Sequence, residues 1–220
     1  MGCNEDTTSF DNNDEVAHFR IINIIEYYSN VAIWANQNKF IDTLFCNQSS
    51  GYIDILTDSL NIQILDNTNN QIIFDTLCYI KKDRFYTLFL VKKNNSVSSL
   101  LVRDIQLTST ECSFMRIFNN SSAGEPFIFS IISQIDSISF VGVPLNRIST
   151  YQLLLDTLYT PSLNIISSGE TADYDLMSIE RNKQYLVVIT DTYPIEDAWY
   201  PYVVIVFEDI SVNENTIRLL

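Results

Sequence analysis

The sequence predicts an all-β protein made of two tandem antiparallel β-sandwiches of immunoglobulin-like type, and three observations predict it. Its apolar segments are short, rich in Ile, Val, Phe and Tyr, and bounded by polar turns at roughly 8- to 12-residue spacing. Nothing of helical length keeps an apolar period of about 3.6 residues. The third observation is a repeat. "FRIIN" (19–23) returns as "MRIFN" (115–119), "GYIDIL" (51–56) as "TYQLLL" (150–155), and "LNIQI" (60–64) as "LNIIS" (163–167). "DTLCYIKKDRFYTLFLV" (75–91) matches "YDLMSIERNKQYLVVIT" (174–190), which sets Ile80 on Ile179 and Tyr86 on Tyr185. "LVRDI" (101–105) echoes "VFEDI" (206–210). A common order at an offset of about 100 residues makes the second half a second copy of the first.

In the first copy, strands are expected near 17–24, 30–36, 51–56, 60–66, 71–77, 84–92 and 99–106. In the second they are expected near 113–120, 126–132, 137–142, 149–155, 162–167, 184–191 and 202–210. Alternation in "RFYTLFLV" puts Phe85, Thr87, Phe89 and Val91 on one face. With five Gly and five Pro in the chain, turns must rely on Asn, Asp and Ser, as in "DNTNNQ" (66–71) and "KKNNS" (92–96). The joint "LTSTEC" (107–112) is too short for independent tumbling. The expected organisation is a disordered tether over 1–15, one sandwich over 16–109 and another over 110–220.

Composition bounds the function. Hydrophobic residues make up 46% of 220, enough to build a core in each half. A formal net charge of −14 opposes nucleic acid, whose phosphates need Lys and Arg, and opposes docking by charge on an anionic lipid surface. No apolar run approaches the roughly 20 residues of a membrane helix. Cys46, Cys78 and Cys112 lie in or beside apolar runs and are read as structural thiols. The absence of Cys-x-x-Cys spacing and the single His18 leave little for a zinc site. Neither metal nor cofactor is expected. The start "MGCNED", continuing as an acidic polar stretch, resembles a bacterial lipoprotein that matures at a Cys behind a small residue. Cys3 is therefore the expected lipid anchor, and the cell envelope, at the outer membrane, the expected address.

"FRIIN", "SGYIDIL", "DRFYTLFLV" and "FMRIFNNSSAGEPFIF" resemble the family catalogued as domain of unknown function 4397. The resemblance covers most of the first copy and the opening of the second. It implies tandem β-sandwich modules on exported bacterial proteins, often lipoproteins, and brings no catalytic residues. The usual Asn-Ala-Ser-Pro after the first strand is replaced here by "NIIEYY", and the second copy lacks a clear Tyr-Thr strand.

Motifs for chemistry are scarce. A nucleophile–histidine arrangement would have to use His18, at the edge of the tether, which is a poor place for a preorganised base. Arg20 and Arg116 share one repeat position and Asp104 and Asp209 another, so each Arg is expected to pair with the acid of its own copy. An Asp-(Ser/Thr) tripeptide resembles an O-glycan acceptor pattern of exported proteins in one group of Gram-negative anaerobes. It makes Thr7, Thr43, Ser59, Thr76, Ser137 and Thr157 candidate acceptors. The copies diverge most at "DTYPIEDAWYPY" (191–202), where Tyr193, Trp199, Tyr200 and Tyr202 form a candidate binding loop for a glycan or protein. The expected function is a non-catalytic, lipid-anchored binding or adhesion module. The alternative is a structural subunit of a surface fibre or envelope complex assembled by β-strand addition.

Overall fold

The computed structural model describes residues 16–25, 28, 30–56, 58–93, 96–107, 111–121, 127–165, 170–173, 177–191, 202–208 and 217–219. The first copy holds β1 (Val16–Asn23), β2 (Asn30–Ala35), β3 (Asn38–Phe45), β4 (Gln48–Ser49), β5 (Ile53–Leu56), β6 (Asp58–Asp66), β7 (Ile72–Ile80), β8 (Phe85–Lys93) and β9 (Ser96–Asp104). The second holds β10 (Ser113–Asn120), β11 (Phe127–Ile132), β12 (Ser137–Val141), β13 (Arg147–Ile148), β14 (Gln152–Leu154), β15 (Leu158–Ile165), β16 (Glu170–Asp173), β17 (Met177–Ser178), β18 (Gln184–Asp191), β19 (Tyr202–Glu208) and β20 (Ile217–Leu219).

Each copy is a sandwich of two sheets. In the first, β4 and β5 both pair with β1, which continues to β8 and β9, and this sheet packs on the sheet β3-β2-β6-β7. In the second, β13 and β14 pair with β10, followed by β18, β19 and β20. That sheet packs on β12-β11-β15-β16, with β17 also on β15. No strand crosses between copies among the described residues. The opening strand of each copy runs parallel to its neighbour in the inner sheet, β1 to β8 and β10 to β18, and the other pairings are antiparallel.

The two inner sheets face each other. Ile22, Ile24, Phe89 and Val91 of the first copy are buried against Phe118, Leu186, Val188, Ile205 and Phe207 of the second, and Phe89 lies 4.3 Å from Phe118 between ring centroids. This seam explains a feature of the sequence. A strand covered on one face alternates, whereas "YTLFLV", "YLVVI" and "VVIVF" are almost continuously apolar because both faces are buried. On β8, Tyr86, Leu88 and Leu90 point into the sandwich core while Thr87, Phe89 and Val91 point into the seam. Four layers result, outer–inner–inner–outer, with three apolar interiors.

The repeat extends to single hydrogen bonds. Asn23 ends β1 and Asn119 is the last residue but one of β10, and each donates its side-chain amide across the sandwich, to the Leu44 and Val143 carbonyls respectively. Ser50 and Ser149 each accept a backbone N–H from the opening strand through Oγ, at 2.9 Å. The hydroxyls of Tyr86 and Tyr185 accept the N–H groups of Lys81 and Glu180. Turns use Asn and Asp in the left-handed region, with equivalent pairs Asn47/Asn146 and Asp83/Asn182 at φ 59°/54° and 54°/60°. Asn36 and Gln37, at φ 48° and 67°, form the two-residue loop that joins β2 to β3, the geometry matching strand twist.

Candidate functional site

The most heavily buried charges lie in the seam. Asp104, at the end of β9, accepts hydrogen bonds from Tyr52 Oη at 2.7 Å, Thr87 Oγ1 at 2.6 Å and Arg116 Nη2. Arg20 donates Nε to Thr87 Oγ1 at 2.7 Å, and its guanidinium sits 4.7 Å over the Tyr52 ring. Arg116 stacks in the same way on Tyr151 at 4.8 Å. Arg116 of the second copy binds Asp104 of the first, a contact between copies that the expected pairing of each Arg with the acid of its own copy does not include. Packing of the two inner sheets brings these residues together, and Leu186 stands where the first copy has Thr87. Asp209, the repeat counterpart of Asp104, lies outside the described residues. The linker is tied in beside this cluster. Gln184 donates to the Ile105 carbonyl at 2.8 Å and accepts the Leu107 N–H at 2.9 Å. With its groups mutually satisfied and covered, this cluster is a clamp between copies.

The surfaces open to a partner are the outer sheets. On the first sandwich, Ile33, Ile62 and Ile64 point inward, so their neighbours Trp34 and Gln63 point outward. Cross-strand register sets Lys39 opposite Trp34, Trp34 opposite Gln63, and Gln63 opposite Asp75, one row across β3, β2, β6 and β7. Gln63 Nε2 donates to Asp75 Oδ2 at 3.0 Å, and Lys39 Nζ is 2.8 Å from Asp42 Oδ1. Trp34 and Gln63 are half-buried while Lys39 and Asp75 are exposed. Next to the row, Leu65 stands opposite Ile72 on one side and Asn61 opposite Leu77 on the other. Ser59 and Tyr79 lie beyond them, and the exposed members include Ile72 at 56%, Leu77 at 52% and Tyr79 at 73%.

The same row in the second sandwich reads Ser139, Ser130, Ser162 and Asp173. The Ser130 and Ser139 hydroxyls are 2.8 Å apart, and Asn164 donates to Thr171 Oγ1 at 2.8 Å in the adjoining row. The row thus carries one half-buried tryptophan on the first copy and three serines on the second.

The candidate binding loop falls largely outside the described residues. This holds for Tyr193, Trp199 and Tyr200, while Tyr202 is the first residue of β19. Cys3 and Thr7 are also outside them. Of the other candidate acceptors, Thr43, Ser59 and Ser137 are exposed on β3, β6 and β12, and Thr76 and Thr157 are half-buried. Asp58, Asp136 and Asp156 stand at or just before strand starts, whereas Asp42 and Asp75 are within strands. The Asp156 carboxylate accepts the Thr157 N–H at 2.7 Å, which pulls its pKa below the usual carboxylate value. Cys46, Cys78 and Cys112 form no disulfide among the described residues, and burial pushes the pKa of Cys78 up to about 11. His18 bonds Asp54 through Nδ1 at 2.6 Å and stacks on Phe85 at 4.2 Å. Trp34 was not among the sequence-predicted residues. "NVAIWA" reads as one apolar run, and the parity that turns Trp34 outward emerges only from its pairing with β6.

Two sandwiches joined through their inner sheets, with outward rows of side chains on paired strands, define a tandem β-sandwich protein. The chain belongs to the family described as Domain of unknown function (DUF4397), whose profile matches residues 17–126, from β1 through β10. Comparison with curated proteins finds no match. Among solved structures, the chain is similar to a carbohydrate-binding module of family CBM26 from Eubacterium rectale, crystallised with maltoheptaose. That match has 10% identity and a TM-score of 0.28, covering 89% of this chain and 98% of the other. It is also similar to a candidate cell adhesion protein of Bacteroides uniformis, at 10% identity and a TM-score of 0.30, covering 89% and 99%. A candidate adhesin of Bacteroides ovatus matches at 9% identity and a TM-score of 0.23, covering 93% and 95%.

Proposed function

We propose that this protein is a non-catalytic binding or adhesion module of the cell envelope, lipid-anchored through Cys3 to the outer membrane and recognising a surface glycan or protein. One observation carries the reading. The outer face of the first sandwich, the sheet β3-β2-β6-β7, presents Trp34, Ile72, Leu77 and Tyr79 interspersed with polar side chains. Apolar side chains grouped on a surface cost solubility, and in monomeric proteins such groups mark interaction sites. The buried charges of the seam are engaged with one another, which supports a structural role for them. The test presents the purified protein to arrayed envelope and host-surface glycans and to surface-protein extracts. Saturable retention of one component is expected. Retention of none, together with turnover of a glycoside or ester substrate, overturns the reading. Mass spectrometry of the host membrane fraction should find Cys3 diacylated, and an unmodified N-terminus in the soluble fraction refutes the anchor.

A second reading, a subunit assembled by strand addition, is favoured by one asymmetry. Among the described residues β19 carries β20 on its outer side, whereas β9, its counterpart, pairs only with β8. An unpaired edge accepts partner strands. Concentration-dependent oligomers held by an intersubunit sheet would replace the first reading, and a monomer at all concentrations rejects the second.

A further inference from the structure

We infer that the row Lys39–Trp34–Gln63–Asp75 is a binding subsite for a neutral oligosaccharide, laid across the outer sheet of the first sandwich. The inference rests on the binding-module reading and adds a place and a ligand chemistry to it. The chemistry follows from what the row offers. The indole supplies a rigid apolar plane, the surface on which the C–H face of a pyranose packs. Beside it stands an amide–carboxylate pair already hydrogen-bonded at 3.0 Å. That bond uses one Gln63 amide hydrogen and one Asp75 oxygen. The Gln63 carbonyl, its second amide hydrogen and the other Asp75 oxygen retain the capacity to take up adjacent hydroxyls. The pre-formed pair also lowers the ordering cost of binding.

Other ligand classes fit less well. Lys39, the cation of the row, is held by Asp42 at 2.8 Å, and the chain carries −14, so a sulfated or phosphorylated ligand is repelled. A peptide adding as a strand needs an open backbone edge, which this sheet offers at β3 and β7, whereas β2 and β6, carrying Trp34 and Gln63 at the centre of the row, are each paired on both sides. Recognition at this place therefore uses side chains alone. A purely apolar ligand would cover the remaining hydrogen-bonding groups of Gln63 and Asp75 without satisfying them. The row crosses three inter-strand steps of about 4.8 Å, roughly 14 Å in all, which suits a short oligosaccharide rather than one sugar. The second sandwich is an internal control. Its equivalent row keeps the acid as Asp173 but has Ser130 where the aromatic plane would be.

The test is calorimetric titration of the full chain with cello-, xylo-, manno- and maltohexaose, with thermal melting in parallel. At least one of the four should bind. Trp34→Ala and Gln63→Ala should each weaken that binding by about tenfold or more, the scale of losing one anchor. Trp34→Phe, which keeps a ring, should retain most of it, and Ser130→Ala in the other row should leave it unchanged. Should Trp34→Ala fail to fold, Gln63→Ala and Trp34→Phe decide. Binding unaffected by Trp34→Ala and Gln63→Ala overturns the subsite and leaves the module reading standing. No binding of any hexasaccharide, or binding of anionic glycans or peptides at this face instead, overturns the ligand assignment. The module reading itself then stands or falls on the surface-extract experiment.

Discussion

Where the first copy places Lys39, Trp34, Gln63 and Asp75 in one outward row, the second places Ser139, Ser130, Ser162 and Asp173. Behind these rows the copies agree closely, with Asn23 matching Asn119, Ser50 matching Ser149 and Tyr86 matching Tyr185 in the same hydrogen bonds. The sandwich interior tolerates little change, because every side chain there is confined by neighbours on several sides. The outer faces carry no such constraint, so they are where two copies of one fold can take different tasks. The seam is a third case. Equivalent positions meet there face to face yet are not interchangeable, since Thr87 of the first copy corresponds to Leu186 of the second.

The largest expected effect comes from breaking the seam at Asp104. Asp104→Ala removes an acceptor shared by Tyr52, Thr87 and Arg116, and with it the carboxylate that pairs with the buried Arg116 charge across the seam. A loss of about 3–5 kcal/mol is expected, read by denaturant unfolding, and both copies should be affected because the cluster spans them. A loss under about 1 kcal/mol would show that the inner sheets hold by apolar contact alone.

Making the first copy resemble the second at one residue is the next step down. Thr87→Leu keeps the apolar seam but strips Arg20 Nε and Asp104 Oδ2 of their shared hydroxyl, for an expected cost of about 1–3 kcal/mol. The converse change, Leu186→Thr, adds a hydroxyl to an apolar contact and should also destabilise. If both changes prove neutral, the asymmetry of the seam has no energetic meaning.

A third test uses pH. Leu60 stands opposite Cys78, and the same register in the second copy sets Tyr159 opposite Met177, so Tyr159 and not the sequence-matched Leu163 is the counterpart of Leu60. The Tyr159 hydroxyl accepts the Leu155 and Asp156 N–H groups and donates to Asp136 Oδ2 at 2.9 Å. Burial raises its pKa from the usual 10.0 to about 12. The folded state thus holds this proton more tightly than the unfolded state. Its stabilisation is complete below about pH 10 and is lost as pH rises toward 12. Alkaline unfolding monitored by tyrosinate absorbance should show this loss, and Tyr159→Phe should flatten stability over that window while lowering it at neutral pH.

How much of this was legible in the sequence depended on the number of constraints at each residue. The all-β class and the repeat were legible because Arg20 and Arg116, or Tyr86 and Tyr185, recur with their apolar surroundings intact. β3 was not anticipated. Two register irregularities opposite Val31, Ile33 and Trp34 break its alternation, and Phe40 and Ile41 both pack on the core. The contact of Arg116 with Asp104 is not readable from the sequence because it depends on how two sandwiches dock, which no local pattern encodes. Trp34 was passed over because a tryptophan within an apolar run looks like core until register sets its face.

The smallest expected effect on stability carries the sharpest question about the outer rows. Ser130→Trp combined with Ser162→Gln rebuilds on the second sandwich the order of side chains seen on the first, with Asp173 already opposite residue 162. Both positions point outward from paired strands, Ser130 opposite Ser139 and Ser162, so the folding free energy should change by no more than about 0.5 kcal/mol. Tryptophan is also well suited to a half-buried pleated surface. If the aromatic plane and the amide–acid pair suffice for recognition, the double variant should titrate with a second site for whichever hexasaccharide the native chain binds. That second site should survive Trp34→Ala. If the stoichiometry stays at the native value while the melting curve is unchanged, the row alone is insufficient. The difference between the copies would then lie in what borders it, the Leu65–Ile72 and Asn61–Leu77 pairs, for which the second sandwich offers Asn164 opposite Thr171 on the matching side of its row.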